Sequence, residues 1–105
     1  MSYFVYKLVP HRPDFPADMT DAEASTMGEH VAYWQALADK GTAVVFGPVA
    51  DPAGYWGLAI VETDDEEQVR AVRAADPVIR DDIGRVSIYP MADAIIGSSK
   101  TGHTL

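Results

Sequence analysis

The chain contains no cysteine. That excludes disulfides, thiolate metal ligands, iron–sulfur clusters and cysteine nucleophiles. Positive charge is also scarce: 8 Lys and Arg stand against 16 Asp and Glu, a formal charge of −8. Such a chain is repelled at long range by nucleic acid and by anionic membranes. No apolar run approaches the ~20 residues that a membrane-crossing helix needs. The stretch Met1-Ser2-Tyr3-Phe4-Val5-Tyr6-Lys7 has neither the basic-then-apolar order nor the small-residue cleavage site of a signal peptide. The expectation is a cytoplasmic protein. Its histidines, His11, His30 and His103, include no two that lie three or four residues apart, and no His-Glu-x-x-His occurs. No metal site is expected. Glycine-rich phosphate loops, the dinucleotide fingerprint and Gly-x-Ser-x-Gly are absent too.

What remains is an ordinary globular composition, 48% apolar and 23% charged over 105 residues. That is enough for one domain with one core. The candidate partners are a small molecule, another protein or a second copy of the chain.

Residues Tyr3 to Val9 are aromatic and β-branched and stop at Pro10, which predicts a strand. The proline-broken stretch from His11 to Asp18 is a loop. Thr20-Asp21-Ala22-Glu23 has capping-box spacing and opens a helix to about Lys40, with Met27, Val31, Trp34 and Leu37 as its apolar stripe. Gly41 is a left-handed stop. Thr42 to Val49 and Tyr55 to Val61 form a hairpin across the turn Asp51-Pro52-Ala53-Gly54. Thr63-Asp64-Asp65-Glu66 opens a second helix, and Asp76-Pro77 interrupts it and starts a short new one. Gly84 to Met91 is the last strand.

The order βαββαβ is the ferredoxin-like α+β arrangement: a four-stranded antiparallel sheet with both helices on one face. The domain is expected over residues 2–95, with a tail over 96–105 that is mobile or reaches a neighbouring subunit. The third strand, with Tyr55, Trp56, Leu58 and Ile60, offers apolar bulk to both faces of the sheet. The helices cover one face only. A homodimer packed sheet to sheet, or a larger ring of dimers, would cover the other.

His30 edges the apolar stripe of the first helix, beside Tyr33 and Trp34. It is either a core histidine bonded to backbone or water, or a general acid or base. Asp76 is either a helix cap before Pro77, or a carboxylate that orients His30 or itself moves a proton. The middle of the first helix and the end of the second can meet over the sheet. Gly47-Pro48 is a bend at a strand end, or a place where a ligand approaches the backbone. Arg12, Arg73, Arg80 and Arg85 are surface ion-pair partners, or one of them holds a substrate carboxylate. The acidic runs Asp64–Glu67 and Asp81-Asp82 are solvated helix termini.

Four features in order carry a resemblance. They are the first strand Tyr3-Phe4-Val5-Tyr6-Lys7-Leu8; His30-Val31-Ala32-Tyr33-Trp34; Gly41 before Phe46-Gly47-Pro48-Val49 and Gly54-Tyr55-Trp56-Gly57; and Asp76-Pro77 before Ile88-Tyr89-Pro90. The chain resembles the YCII-related (YciI-like) family of dimeric α+β barrel proteins from about Tyr3 to Met91. The resemblance implies a dimer through the sheets and a histidine–aspartate pair in a pocket between helices and sheet, here His30 and Asp76. Tyr33, Trp34, Gly47 and Pro48 are the expected pocket residues. Some relatives eliminate halide from chlorinated hydroxyquinones, and structurally similar proteins isomerise muconolactone. Two departures stand out: the long proline-rich loop from Pro10 to Thr20, and Val78 where the family often has an aromatic.

Three functions follow as expectations. The first is a cofactor-independent lyase or isomerase acting through His30 and Asp76 on a small cyclic or aromatic acid, lactone or quinone. The second is a non-catalytic dimeric module that binds a small molecule. The third is an oxygenase of the dimeric-barrel type.

Overall fold

The structure is a computed structural model that describes residues 1–98. The elements are β1 (Ser2–Pro10), α1 (Asp21–Asp39), β2 (Ala43–Val49), β3 (Trp56–Thr63), α2 (Glu66–Ala74), α3 (Pro77–Arg80) and β4 (Gly84–Pro90). The four strands form one sheet in the order β2-β3-β1-β4, and every pairing is antiparallel. This is the expected ferredoxin-like arrangement, with the helices on one face. Most of the expected tail, residues 99–105, lies outside the described residues.

Alternation on the central strand sets the two faces. Phe4, Tyr6 and Leu8 are buried under the helices, while Tyr3, Val5, Lys7 and Val9 point the other way. On β3 the buried set is Ala59, Val61 and Thr63. Trp34 and Leu37 of α1 and Val69 of α2 close onto this face and complete the core. A second cluster, Leu8, Phe15, Val78 and Ile83, fills the end of the sheet near α3. Phe15 comes from the loop after β1, so that loop is part of the packing.

Local signals act where expected at α1. Thr20 accepts from the Glu23 amide and Glu23 reaches back to the Thr20 amide, a complete capping box. Gly41 follows with φ 83°. Gly54 closes the hairpin turn with φ 138°, its amide bonded to the Asp51 carbonyl at 2.9 Å.

Two details differ from expectation. The second helix is capped by Asp65, whose side chain accepts from the Gln68 amide, and not by Thr63. Thr63 still belongs to β3: it is buried on the inner face and its hydroxyl donates to the Asp65 carbonyl. Val31, expected in the apolar stripe of α1, is half exposed.

Gly84 is buried against β1. A Cβ there would collide with the Val9 carbonyl and sit 2.9 Å from Pro10 Cα. Both are backbone atoms that cannot swing away. Gly28, within α1, has nothing within 4 Å of a Cβ position. Gly84→Ala is therefore expected to lower unfolding stability by about 2 kcal/mol or more. Gly28→Ala should raise it by about 0.5–1 kcal/mol. Urea titration of both variants checks the pair of signs.

Candidate functional site

The site is built where α1 crosses the junction of α2 and α3. His30 and Trp34 stand one helical turn apart on α1 and face the same side. Asp76 caps α3, and Pro77 occupies the first helical position, where its fixed φ suits the turn. The cap role and the site role belong to the same carboxylate.

Asp76 is fully buried, at 0% exposure. Its Oδ1 accepts from the Val78 amide at 3.1 Å and pairs with His30 Nδ1 at 2.8 Å. Its Oδ2 accepts from the Tyr6 hydroxyl at 2.8 Å and from Trp34 Nε1 at 2.9 Å. Burial pushes the Asp76 carboxyl up, but the bonds from His30, Trp34 and Val78 and the attraction of His30 outweigh it. The group is held below the usual carboxylate value and is ionised at neutral pH. An ionised carboxylate only accepts, so His30 Nδ1 carries the proton. Burial and the Asp76 charge push the Tyr6 hydroxyl far above its ordinary range, so it stays a donor.

The other ring nitrogen of His30 is free. Nε2 has no hydrogen-bond partner among the described residues, and no buried side-chain nitrogen or oxygen there lacks one. Nε2 is therefore reachable from outside. His30 is among the residues that line a pocket of about 270 Å³ between α1, the β2–β3 hairpin and the loop after β1. The walls are aromatic and aliphatic: Trp34, Phe46, Tyr55, Trp56, Met27 and Phe15 among them. Lys and Arg are absent from the lining. Trp34 Nε1 and the Tyr6 hydroxyl are taken up by Asp76, and Trp56 Nε1 donates to Asp51 at 3.1 Å.

The structure brings together five of the six expected site residues. His30, Trp34, Gly47 and Pro48 line the pocket, and Asp76 backs His30. The exception is Tyr33, which does not line it. Its hydroxyl donates to the Val72 carbonyl at 2.7 Å and its ring meets the edge of Trp34. Val31, half exposed, is among the pocket-lining residues. Of the arginines, Arg12 and Arg80 pair with carboxylates outside the pocket, and Arg73 donates to the Val86 carbonyl. Among the described residues no cluster of three or more His, Asp or Glu could hold a metal ion. Sequence reasoning missed Tyr6. A phenol on the buried face between Phe4 and Leu8 was the signal, because a buried hydroxyl needs a partner.

The fold and this site define a ferredoxin-like α+β protein whose buried aspartate presents one histidine to an apolar pocket. The chain matches the YCII-related domain over residues 3–93 and belongs to that family. A solved structure with the same fold is 5-chloro-2-hydroxyhydroquinone dehydrochlorinase from Burkholderia phenoliruptrix, in complex with 2,5-dihydroxybenzoquinone. The likeness has a TM-score of 0.63 at 17% identity and covers 90% of this chain and 96% of that one. No curated protein matches the chain.

Asp76→Asn disrupts the site whichever way the amide is turned. Its NH₂ must face either Tyr6 and Trp34 or His30 and Val78, and each pair includes an N–H, of the Trp34 indole or of the Val78 amide, that cannot accept. The expected cost at neutral pH is about 3 kcal/mol. The folded carboxyl titrates below its unfolded value of 3.8. The stabilisation is thus complete above that value and is lost as pH falls through the folded one. Denaturant melts of wild type and variant at several pH values should show a gap that narrows only in acid.

Proposed function

We propose that the protein is a cofactor-independent lyase in which His30 is the general base and acid for a small hydroxylated ring. The observation that supports this most is the division of labour on His30. Nδ1 is committed to an ionised, buried carboxylate, and Nε2 is accessible and unpartnered on a residue that lines an apolar pocket. A cavity of roughly 150 Å³ accepts benzene. About 270 Å³ therefore suits one substituted ring.

The chemistry balances without a metal or redox partner. The dehydrochlorinase of the same fold makes its named substrate, 5-chloro-2-hydroxyhydroquinone, the first candidate. Two hydroxyl protons leave oxygen, and two C–O bonds become carbonyls. One proton ends on the carbon that carried chlorine, where the C–Cl bond breaks and chloride leaves with the electron pair. The other proton is released, for a net loss of HCl. Nε2 takes protons from oxygen and returns one to carbon. Asp76 fixes the ring and stabilises the imidazolium between the two transfers. The apolar walls strengthen that ion pair by keeping water out.

The test is chloride release. Wild type is expected to liberate chloride from this substrate or a halogenated relative. His30→Gln should lose about 10²–10⁴-fold in rate, while 2,5-dihydroxybenzoquinone still quenches the tryptophans of the pocket. Equal rates in the two proteins would overturn the base assignment. Quenching with no turnover in wild type would favour the second expectation, a module that binds without reacting.

We also infer that the protein works as a homodimer. The sheet face away from the helices carries Val5, Val45, Leu58, Ile60 and Tyr89, and Val45 and Tyr89 are each 53% exposed. An apolar patch of that kind is normally covered. Sedimentation should give twice the chain mass of 11.4 kDa, and Val45→Asp should give single chains. A wild type that sediments as one chain would contradict the inference.

A further inference from the structure

The loop between β1 and α1 takes no part in the proton transfers, yet it walls off one end of the pocket. Phe15 and Pro16 both line the cavity. Phe15 is only 5% exposed, and its ring packs against Leu8, Val78 and Ile83. It therefore stands between the pocket and the second core cluster.

The loop is held in place by charge. Arg12 Nη1 and Nη2 reach the two oxygens of Glu23 at 2.7 and 2.8 Å. Its Nε and Nη2 reach Asp18 at 3.1 and 3.0 Å. Glu23 is itself part of the capping box of α1, so the clasp ties the loop to the helix that carries His30. Within the loop, the Phe15 amide bonds to the Arg12 carbonyl and the Met19 amide to the Pro16 carbonyl. The Arg12 guanidinium lies 5.7 Å from the centre of the Phe15 ring. Bidentate pairs of this kind fix geometry as well as adding energy. Phe15 is a fixed wall.

We propose that Phe15 is a specificity-determining residue that limits the site to a single ring. This rests on the pocket being the substrate site. A phenyl ring removed from a wall whose backbone is clasped leaves a cavity, because the surroundings relax only partly. That cavity is continuous with the pocket. Phe15→Ala should therefore admit a fused second ring.

Calorimetric binding of catechol and 2,3-dihydroxynaphthalene tests this, since the two share one diol edge and differ by one ring. Wild type is expected to bind catechol and to bind the naphthalene diol at least about tenfold more weakly. Phe15→Ala should bind the naphthalene diol at least about tenfold more tightly than wild type does, so that the preference for catechol narrows or reverses. Phe15→Leu keeps the cluster apolar, should shift the preference partway, and serves if the alanine variant does not fold. Catechol binding with the same ring preference in wild type and in the folded variants would overturn the role of Phe15 alone. A wild type that binds neither diol would count against the pocket as substrate site, and the Phe15 proposal would fall with it.

Discussion

The buried carboxylate of Asp76 is the constraint on which the rest of the site depends. It draws one donor each from β1, from the α3 amide and from two positions on α1. A charge in the interior is tolerated only when its hydrogen-bonding capacity is met. Meeting it fixes the crossing of α1 over the sheet, the turn between α2 and α3, and the orientation of Trp34. The same four bonds leave His30 one ring position, with Nε2 outward. A packing requirement and a chemical requirement are satisfied by one group.

The surroundings suit that group. The pocket holds no cation that could compete for Asp76 and is walled largely by apolar and aromatic residues. In the proposed reaction, proton transfer at Nε2 would take place beside an ionised carboxylate in apolar surroundings, where the imidazolium–carboxylate attraction is strengthened. The pocket wall from the β1–α1 loop is tied by Arg12 to Glu23 on α1, the helix that also carries His30.

Much of the fold was legible because local chemistry and periodicity agree. The Thr20 capping box, the Gly41 stop and the Asp51–Gly54 turn each say the same thing as the apolar pattern around them. Thr63 misled because its hydroxyl and the following acids mimic a cap, while its side chain still alternates with Ala59 and Val61 on the sheet. His30 and Asp76 were singled out from the helix wheel and the cap motif. Their meeting could be expected only from the topology and the family resemblance. Tyr33 is three residues from His30, and a helix turns about 100° per residue. Tyr33 thus falls on the side of His30 away from Trp34, toward α2. The bonds of Tyr6 and Trp34 to Asp76 join positions 70 and 42 residues apart, which no local pattern encodes. The burial of Phe15 was hidden for a similar reason: prolines mark a loop without saying what the loop packs against.

The most direct test of the account is the tautomer of His30, read from side-chain ¹⁵N shifts in alkaline solution where the imidazole is neutral. The account predicts a protonated Nδ1 and a bare Nε2 in wild type, with that preference weakened in Asp76→Asn. A proton found on Nε2, or an even mixture indifferent to Asp76, would contradict it.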